Sequence, residues 1–265
     1  MKGFRFVRSP AGLSGWMRED LPADFLADFL REPESFLLGD GAEVLKSVAK
    51  STVVRREAGG RGVVIKYYDP AARFASSRAL KSLRAAALLQ TAGVKTAAPI
   101  AAFYSRSWRG GAYYVSEEIT GSRALRAVLQ EIQADFSGKE ARALRRRLLA
   151  GAAELFYRLH AARIYHRDLK GGNILVRGWE KPSWELHLVD LDGLSRMRRL
   201  WPSRRIKNLA QLCRIRRWTQ RDRIFFMRNY CDRFHMDKNS RQALTRKVLA
   251  ASARRPIACG EDQWR

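Results

Sequence analysis

Cysteine is scarce in this 265-residue chain: Cys213, Cys231 and Cys259 are odd in number, widely spaced, and belong to no CxxC or Cys/His cluster. Their pattern suggests neither a disulfide framework nor a zinc site, and it fits inert or buried thiols in a reducing compartment. No apolar run reaches the about 18–20 residues that a membrane span requires. The first residues, MKGFRFVRSPAGLSGWMRED, lack the apolar stretch and the small-residue cleavage site of a secretory signal, so a cytoplasmic protein is expected. Internal repeats and low-complexity linkers are missing too. Negative charge is in short supply: 26 Asp and Glu face 51 Lys and Arg, for a formal net charge of +25. The excess is uneven, because residues 193–265 carry 20 basic and 5 acidic side chains, against 31 and 21 in residues 1–192. A field of that sign concentrates anions, which makes nucleic acid, an acidic membrane face and an acidic substrate the candidate partners.

What is present describes a globular protein with a hydrophobic fraction of 46%, long enough for one large domain or two small lobes. Five short β-branched or aromatic runs read as strands: Val44 to Val48, Thr52 to Glu57, Val63 to Tyr68, Pro99 to Phe103 and Ala112 to Ile119. The second and third are joined by the hairpin turn AGGRG. Between the third and fourth, Ser77 to Thr91 places Leu80, Leu83, Ala87 and Leu88 on one helical stripe, with Gly93 as its stop. From about Gly121 the pattern turns helical. Lys139 to Ala162 carries Leu144, Leu148, Ala152, Leu155 and Leu159 at helical spacing. A hairpin of Asn173 to Val176 and Glu185 to Val189 follows, around the turn GWEKPSW. Three more helices are expected: one with the stripe Ile206, Leu209, Leu212; one capped by Thr219 with Asp222 and carrying Ile224, Met227 and Tyr230; and one starting at Asn239 and Ser240.

Between the long helix and that hairpin stands YHRDLKGGNILV, Tyr165 to Val176. Transfer of a phosphoryl group asks little covalent chemistry of a protein. It needs a hydroxyl aimed in line, metal ions bridging phosphates, and positive charge on the moving oxygens. Asp168 stands where a catalytic-loop carboxylate accepts a substrate hydroxyl's proton, and Lys170 is placed to steady a γ-phosphate. Asn173 offers an amide oxygen to magnesium, a metal that prefers hard oxygen ligands. Asp190 supplies a carboxylate at the end of the hairpin. Each alone is an ordinary turn residue; HRDLKGGN followed by a strand and DLDG is specific.

These residues resemble the protein-kinase-like superfamily, with its HRDLxxxN loop and metal-binding DFG. The resemblance implies an α+β, bilobal protein-kinase-like fold: a small antiparallel-sheet N-lobe with one helix (43–120), a mainly helical C-lobe (121–265), and an N-terminal extension (1–42) packing on them. It implies ATP and Mg2+ as cofactors. Asp190 aligns with the DFG aspartate because Leu188 and Val189 run directly into it; Asp192 followed by Gly193 is the alternative register. His166 and Arg167 are expected to hold the loop in shape. Lys66, in VVIKYY, falls where such kinases keep the lysine that grips the α- and β-phosphates, the plain alternative being a solvent-facing strand lysine. GxGxxG is absent, so the phosphate-covering turn falls to Ala49–Ser51, with Lys50 and Ser51. Glu117 and Glu118, with Ile119, form the hinge that reads adenine through its backbone. One departure stands out: from Pro70 to Ser116 there is no acidic residue to pair with Lys66, so either Glu57 substitutes or Lys66 relies on ATP.

No peptide-binding segment or APE-like motif follows Asp190, since Gly193 to Arg205 leads directly into a helix, and a protein acceptor is disfavoured. RRIKNLAQLCRI and TQRDRIFFMRNYCDRF, together with GVKTAAPIAAF and YYVSEEITG, resemble the lipopolysaccharide kinases that phosphorylate inner-core heptose or 3-deoxy-D-manno-octulosonic acid (Kdo), over about Glu43 to Phe234. That family implies an anionic lipopolysaccharide core acceptor and peripheral contact with the acidic inner membrane face, both suited to a +25 chain. Arg196, Arg198 and Arg199 are the substrate candidates, with Arg204 and Arg205 beyond them and Trp201 as a stacking or interfacial surface; the alternative for this run is a solvated helix face. A kinase of the aminoglycoside or choline type is disfavoured by the basic C-terminal half. An ATP-binding pseudokinase or basic nucleic-acid-binding module is disfavoured by the retained Asp168, Asn173 and Asp190.

Overall fold

The protein is described by a computed structural model over residues 2–71, 75–107, 110–215 and 218–254. Those residues divide into two compact units, one of residues 2–87 with 97–120, the other of residues 88–96 with 121–254.

In the first unit, apolar residues at alternate positions build one antiparallel sheet. Its strands are β1 (Phe4–Arg8), β2 (Leu13–Arg18), β3 (Glu43–Val48), β4 (Ser51–Ala58), β5 (Arg61–Tyr68), β6 (Pro99–Ser105) and β7 (Ala112–Glu117), in the order β1-β2-β6-β7-β5-β4-β3. Side chains alternate across a strand, so a strand in mid-sheet feeds both faces. One face carries Leu13, Met17, Val63, Ile65, Ala101, Phe103, Tyr113 and Val115, covered by α1 (Ala27–Arg31) and α2 (Pro33–Leu38) through Phe29 and Phe36. The other carries Tyr68, Ala102, Ala112 and Tyr114 against Ala75, Ala79 and Leu83 of α3 (Ala75–Thr91). Fully buried Phe29 and Phe103 each contribute about 2–3 kcal/mol of transfer free energy.

Three sequence expectations change here. The sheet has seven strands where five were read, because β1 and β2 add a hairpin beyond β6. The last strand ends at Glu117, before Ile119. The buried stripe of α3 is Ala75, Ala79, Ser82, Leu83, Ala86 and Leu89, while Ala87 is exposed. Its many alanines make two adjacent stripes equally apolar in the sequence, and the tight fit against Tyr68 selects the smaller side chains.

The second unit begins where Gly93, at φ +65°, ends α3 in a backbone conformation that glycine adopts without strain. A three-stranded antiparallel sheet of β8 (Ser122–Ala124), β10 (Ile174–Arg177) and β11 (Glu185–Leu188) and a two-stranded one of β9 (Ile164–His166) and β12 (Leu194–Arg196) accompany five helices. These are α4 (Leu125–Asp135), α5 (Gly138–Ala161), α6 (Pro202–Cys213), α7 (Gln220–Arg233) and α8 (Lys238–Ala253). α5 buries Leu148, Ala152, Leu155, Phe156 and Leu159, with Phe156 edge-on to Phe226 of α7 at 5.5 Å.

α7 starts at the expected capping box. Thr219 Oγ1 accepts from the Asp222 N–H, and the Asp222 carboxylate accepts from the Thr219 N–H; Asp222 also pairs with Arg145 of α5. Its buried face is Phe226, Met227, Tyr230 and Cys231, while Ile224, expected inside, is half-exposed. α8 starts at Lys238, one position earlier than expected, and its cap is Asp237, whose carboxylate accepts from the Asn239 and Ser240 N–H groups. Cys213 and Cys231 are free and buried, and burial pushes both thiols up, to about 12 and about 11, so they are inert; Cys259 lies outside the described residues.

Candidate active site

The loop from His166 to Asn173 is built from short-range bonds that a polar, glycine-containing sequence permits. His166 closes β9 and is buried. Its Nδ1 accepts from the Asp168 N–H at 3.1 Å, and its Nε2–H donates to the Asp190 carbonyl at 2.9 Å. Only a neutral imidazole can accept at Nδ1, and burial holds the His166 pKa below its ordinary value, in agreement with that pattern. One side chain therefore ties the backbone of Asp168 to that of Asp190.

Asp168 remains half-exposed at its side chain, and Lys170 Nζ lies 3.2 Å from its Oδ2. Asn173 is buried; its Nδ2 donates to the Asp168 carbonyl at 2.8 Å, which leaves the amide oxygen as the group it can offer elsewhere. The Val189 N–H donates to the Asn173 carbonyl at 2.9 Å, so β11 delivers Asp190 next to this turn. Gly171 sits close beneath Ile215: a Cβ there would come within 2.7 Å of Ile215 Cδ1, so that side chain would have to shift.

β11 is itself pinned. The Leu188 N–H donates to the Lys95 carbonyl at 2.9 Å, Thr96 Oγ1 donates to the Leu188 carbonyl at 2.6 Å, and Lys95 Nζ pairs with Glu185 at 2.5 Å. Asp190 adopts φ +64°, a left-handed conformation that costs a non-glycine residue about 1–3 kcal/mol and persists where the surroundings over-determine it. Asp192 is buried in the following 3-10 turn, Leu191–Gly193.

α6 carries the support that sequence reasoning missed. Asn208, fully buried, donates through Nδ2 to the His166 carbonyl at 2.5 Å and accepts from the His166 N–H at 3.4 Å. Gln211 donates to the Arg167 carbonyl at 2.9 Å and accepts from the Leu169 N–H at 3.2 Å. Two amide side chains three residues apart share one helix face and so dock four backbone groups of the loop. A polar pair at that spacing inside an otherwise apolar stripe was the available signal.

In the other unit, Lys66 lies on the face of β5 that α3 covers, 5.1 Å from the Tyr68 ring centroid and opposite Tyr114 in register, so it is not on a bare solvent face. α3 has no acidic residue. Glu57 is exposed and stands four residues along β4 from Val53, the partner of Lys66, a span of about 13 Å at strand rise, so Glu57 does not replace the missing glutamate. Ala49 and Lys50 form the β3–β4 turn, and Ser51 pairs with Tyr68, two residues beyond Lys66.

Glu117 and Glu118 lie at the opposite end of β5. Their side chains are held by Arg18 at 2.9 Å and Arg55 at 2.8 Å. Their N–H groups donate to Ala98 and Gly62, so any reading of a base through this segment falls to other backbone groups. Among the described residues, no group of three or more His, Cys, Asp or Glu side chains is arranged to hold a metal ion. A magnesium bound by one carboxylate and an amide oxygen, with phosphate and water completing its shell, asks for no such group, and Asn173 and Asp190 fit that donor set.

Of the arginine candidates, Arg196 on β12 is exposed and is not among the residues that line the pocket around Arg198 and Arg199. Arg198 and Arg199 line a pocket of about 440 Å³ together with His160, Arg163, Leu200, Arg205 and Phe234.

A loop with a carboxylate–ammonium pair, an anchored asparagine and a strained aspartate is the equipment of a phosphotransferase. The model of the lipopolysaccharide kinase (Kdo/WaaP) family matches residues 60–230, and the chain belongs to that family. It is a kinase that transfers phosphate from ATP to a sugar hydroxyl of the lipopolysaccharide core, as the resemblance of its motifs implied. Among solved structures it is similar to WaaP in complex with acyl carrier protein, at 23% identity and a TM-score of 0.63, over 93% of this chain and 99% of that one, so the two share a fold. No curated protein matches the sequence.

Proposed function

We propose that the chain is an inner-core kinase acting on a heptose or Kdo hydroxyl, with a protein-kinase-like fold of a small antiparallel-sheet lobe (43–120) and a mainly helical lobe (121–265). Residues 1–42 pack on the small lobe, a reading supported by the β1–β2 hairpin that extends its sheet and by α1 and α2 on one face.

The observation that carries the mechanism is the Asp168–Lys170 pair in a loop tied at both ends to Asp190 and Asn173. Asp168 accepts the proton of the acceptor hydroxyl as its oxygen attacks the γ-phosphorus, and Lys170 stays on the γ-phosphate oxygens as the bond to the leaving ADP breaks. Asn173 and Asp190 hold Mg2+, which when bound neutralises phosphate charge. Asp190 is favoured over Asp192 because it is the one held in a left-handed conformation by His166, while Asp192 is buried.

Lys66 grips the α- and β-phosphates, Lys50 and Ser51 cover them, and Glu117 to Ile119 border the adenine. Arg196, Arg198 and Arg199 meet the anionic acceptor, and the positive charge draws the protein to the acidic inner membrane face. Among the described residues, no helix is long and apolar enough to cross a membrane.

The test is transfer of labelled phosphate from ATP to dephosphorylated core oligosaccharide, followed by mass spectrometry of the product. Asp168→Asn is expected to lower kcat by about 10²–10⁴-fold with the fold unchanged. Full activity in that variant removes the base assignment, and no transfer by the wild-type protein removes the acceptor.

A further inference from the structure

We infer that the pocket lined by Arg163, Arg198, Arg199 and Arg205 is a binding site for a phosphate group, in which Arg163 and Arg205 join two of the arginines proposed to meet the acceptor. It rests on the kinase reading only for the source of that phosphate. The pocket holds about 440 Å³, room for a phosphate together with the sugar or glycerol that carries it. Four of its seven lining residues are arginines and none is acidic. Among the described residues, no carboxylate pairs with any of the four, although exposed arginines elsewhere, such as Arg123, Arg158 and Arg177, do have carboxylate partners.

The remaining contacts orient the arginines without neutralising them. Arg163, at φ +58°, donates to the Arg198 carbonyl at 3.2 Å, which draws the 198–200 segment to the pocket rim. Arg199 rests on the Trp201 ring at 5.2 Å. Arg205 is the most constrained. Its guanidinium lies over Phe234 at 4.0 Å and over Tyr230 at 5.1 Å, its Nε donates to the Tyr230 hydroxyl, and its Nη2 is buried with no hydrogen-bond partner. A buried charged N–H without an acceptor is costly, and a planar guanidinium presents two donors in the geometry a phosphate accepts.

His160 cannot add charge. Its Nδ1 accepts from the Tyr230 hydroxyl at 2.7 Å, its Nε2–H donates to Asn208 at 3.4 Å, and burial holds it neutral down to about pH 3. Leu200 and Phe234 supply an apolar wall for the carbon skeleton attached to the phosphate.

The experiment uses the full chain and an Arg198→Gln/Arg199→Gln double variant, both exposed positions whose loss leaves the core intact; unliganded melting midpoints check the fold. Arg163→Gln is a second, independent variant. Three probes are titrated at fixed ionic strength: inorganic phosphate, glucose 6-phosphate, and vesicles of phosphatidylglycerol in phosphatidylcholine. Wild-type protein is expected to show a saturable rise in melting midpoint with both soluble probes, weakened at least about tenfold in both variants. Stronger binding of glucose 6-phosphate than of phosphate assigns a sugar-borne phosphate, whereas loss of vesicle sedimentation together with equal, weak soluble binding assigns a lipid headgroup. Binding of all three probes unchanged in the variants, or a rise that chloride reproduces, overturns the site. Phosphate transfer to core oligosaccharide is measured separately, so a failed acceptor and a failed pocket are distinguishable.

Discussion

His160 and His166 show how far single side chains here depend on staying neutral. Each accepts a hydrogen bond at Nδ1, and burial lowers each pKa from its ordinary 6.5, that of His160 to about 3. An unfolded chain takes up these protons below pH 6.5, while the folded one resists them, so the stability they contribute is complete above pH 6.5 and is lost as pH falls below it, for His160 down to about pH 3. Each histidine adds a slope of up to about 1.4 kcal/mol per pH unit inside its window. Between pH 7.5 and 5, the wild-type protein is therefore expected to lose about 2 kcal/mol more than His160→Gln by urea unfolding; parallel curves would count against a buried neutral His160. At this level the motif was legible: HRDLKGGN named Asp168, Lys170 and Asn173 by type and spacing. Not legible was that His166 bonds the Asp168 N–H and the Asp190 carbonyl, because those partners are 2 and 24 residues away on different elements.

α6 acts as the loop's splint. Its apolar residues Leu209 and Leu212 are buried as the helical period predicts, but Asn208 and Gln211 on the same side reach the backbone from His166 to Leu169. Asn208→Ala is expected to cost about 1–3 kcal/mol in stability by leaving the His166 backbone under-bonded. It is also expected to lower kcat about 10–100-fold through misplacement of Asp168, with KM for ATP within about twofold. Steady-state kinetics beside melting curves check it, and an unchanged kcat would show that the loop holds itself. Element types followed from periodicity and capping chemistry: the hairpins, α5, and the Thr219–Asp222 box stand as read. The side each helix buries was less secure. α3 and α7 turned by about one residue from their expected stripes because alanine-rich and arginine-rich helices leave several stripes of similar hydrophobicity, and the neighbour decides among them.

Across the whole chain, a charge of +25 predicts association with anionic surfaces that salt weakens. Sedimentation with phosphatidylglycerol vesicles is expected to fall at least about tenfold between 0.05 and 0.3 M salt, as the screening length contracts toward the size of a side chain. Equal binding to neutral vesicles would assign any membrane affinity to exposed apolar residues such as Trp201 instead. The amino-acid sequence by itself determined the chemistry, the family and most elements, because these rest on local spacing, turn residues and net charge. Only the tertiary structure decided that Lys66 shares a face with α3, that Glu57 lies too far along its strand to pair with it, and that Arg163 and Arg205 join Arg198 and Arg199 around one pocket. Strand register and helix docking bring together residues distant in the chain, and no local pattern encodes which side chains then meet.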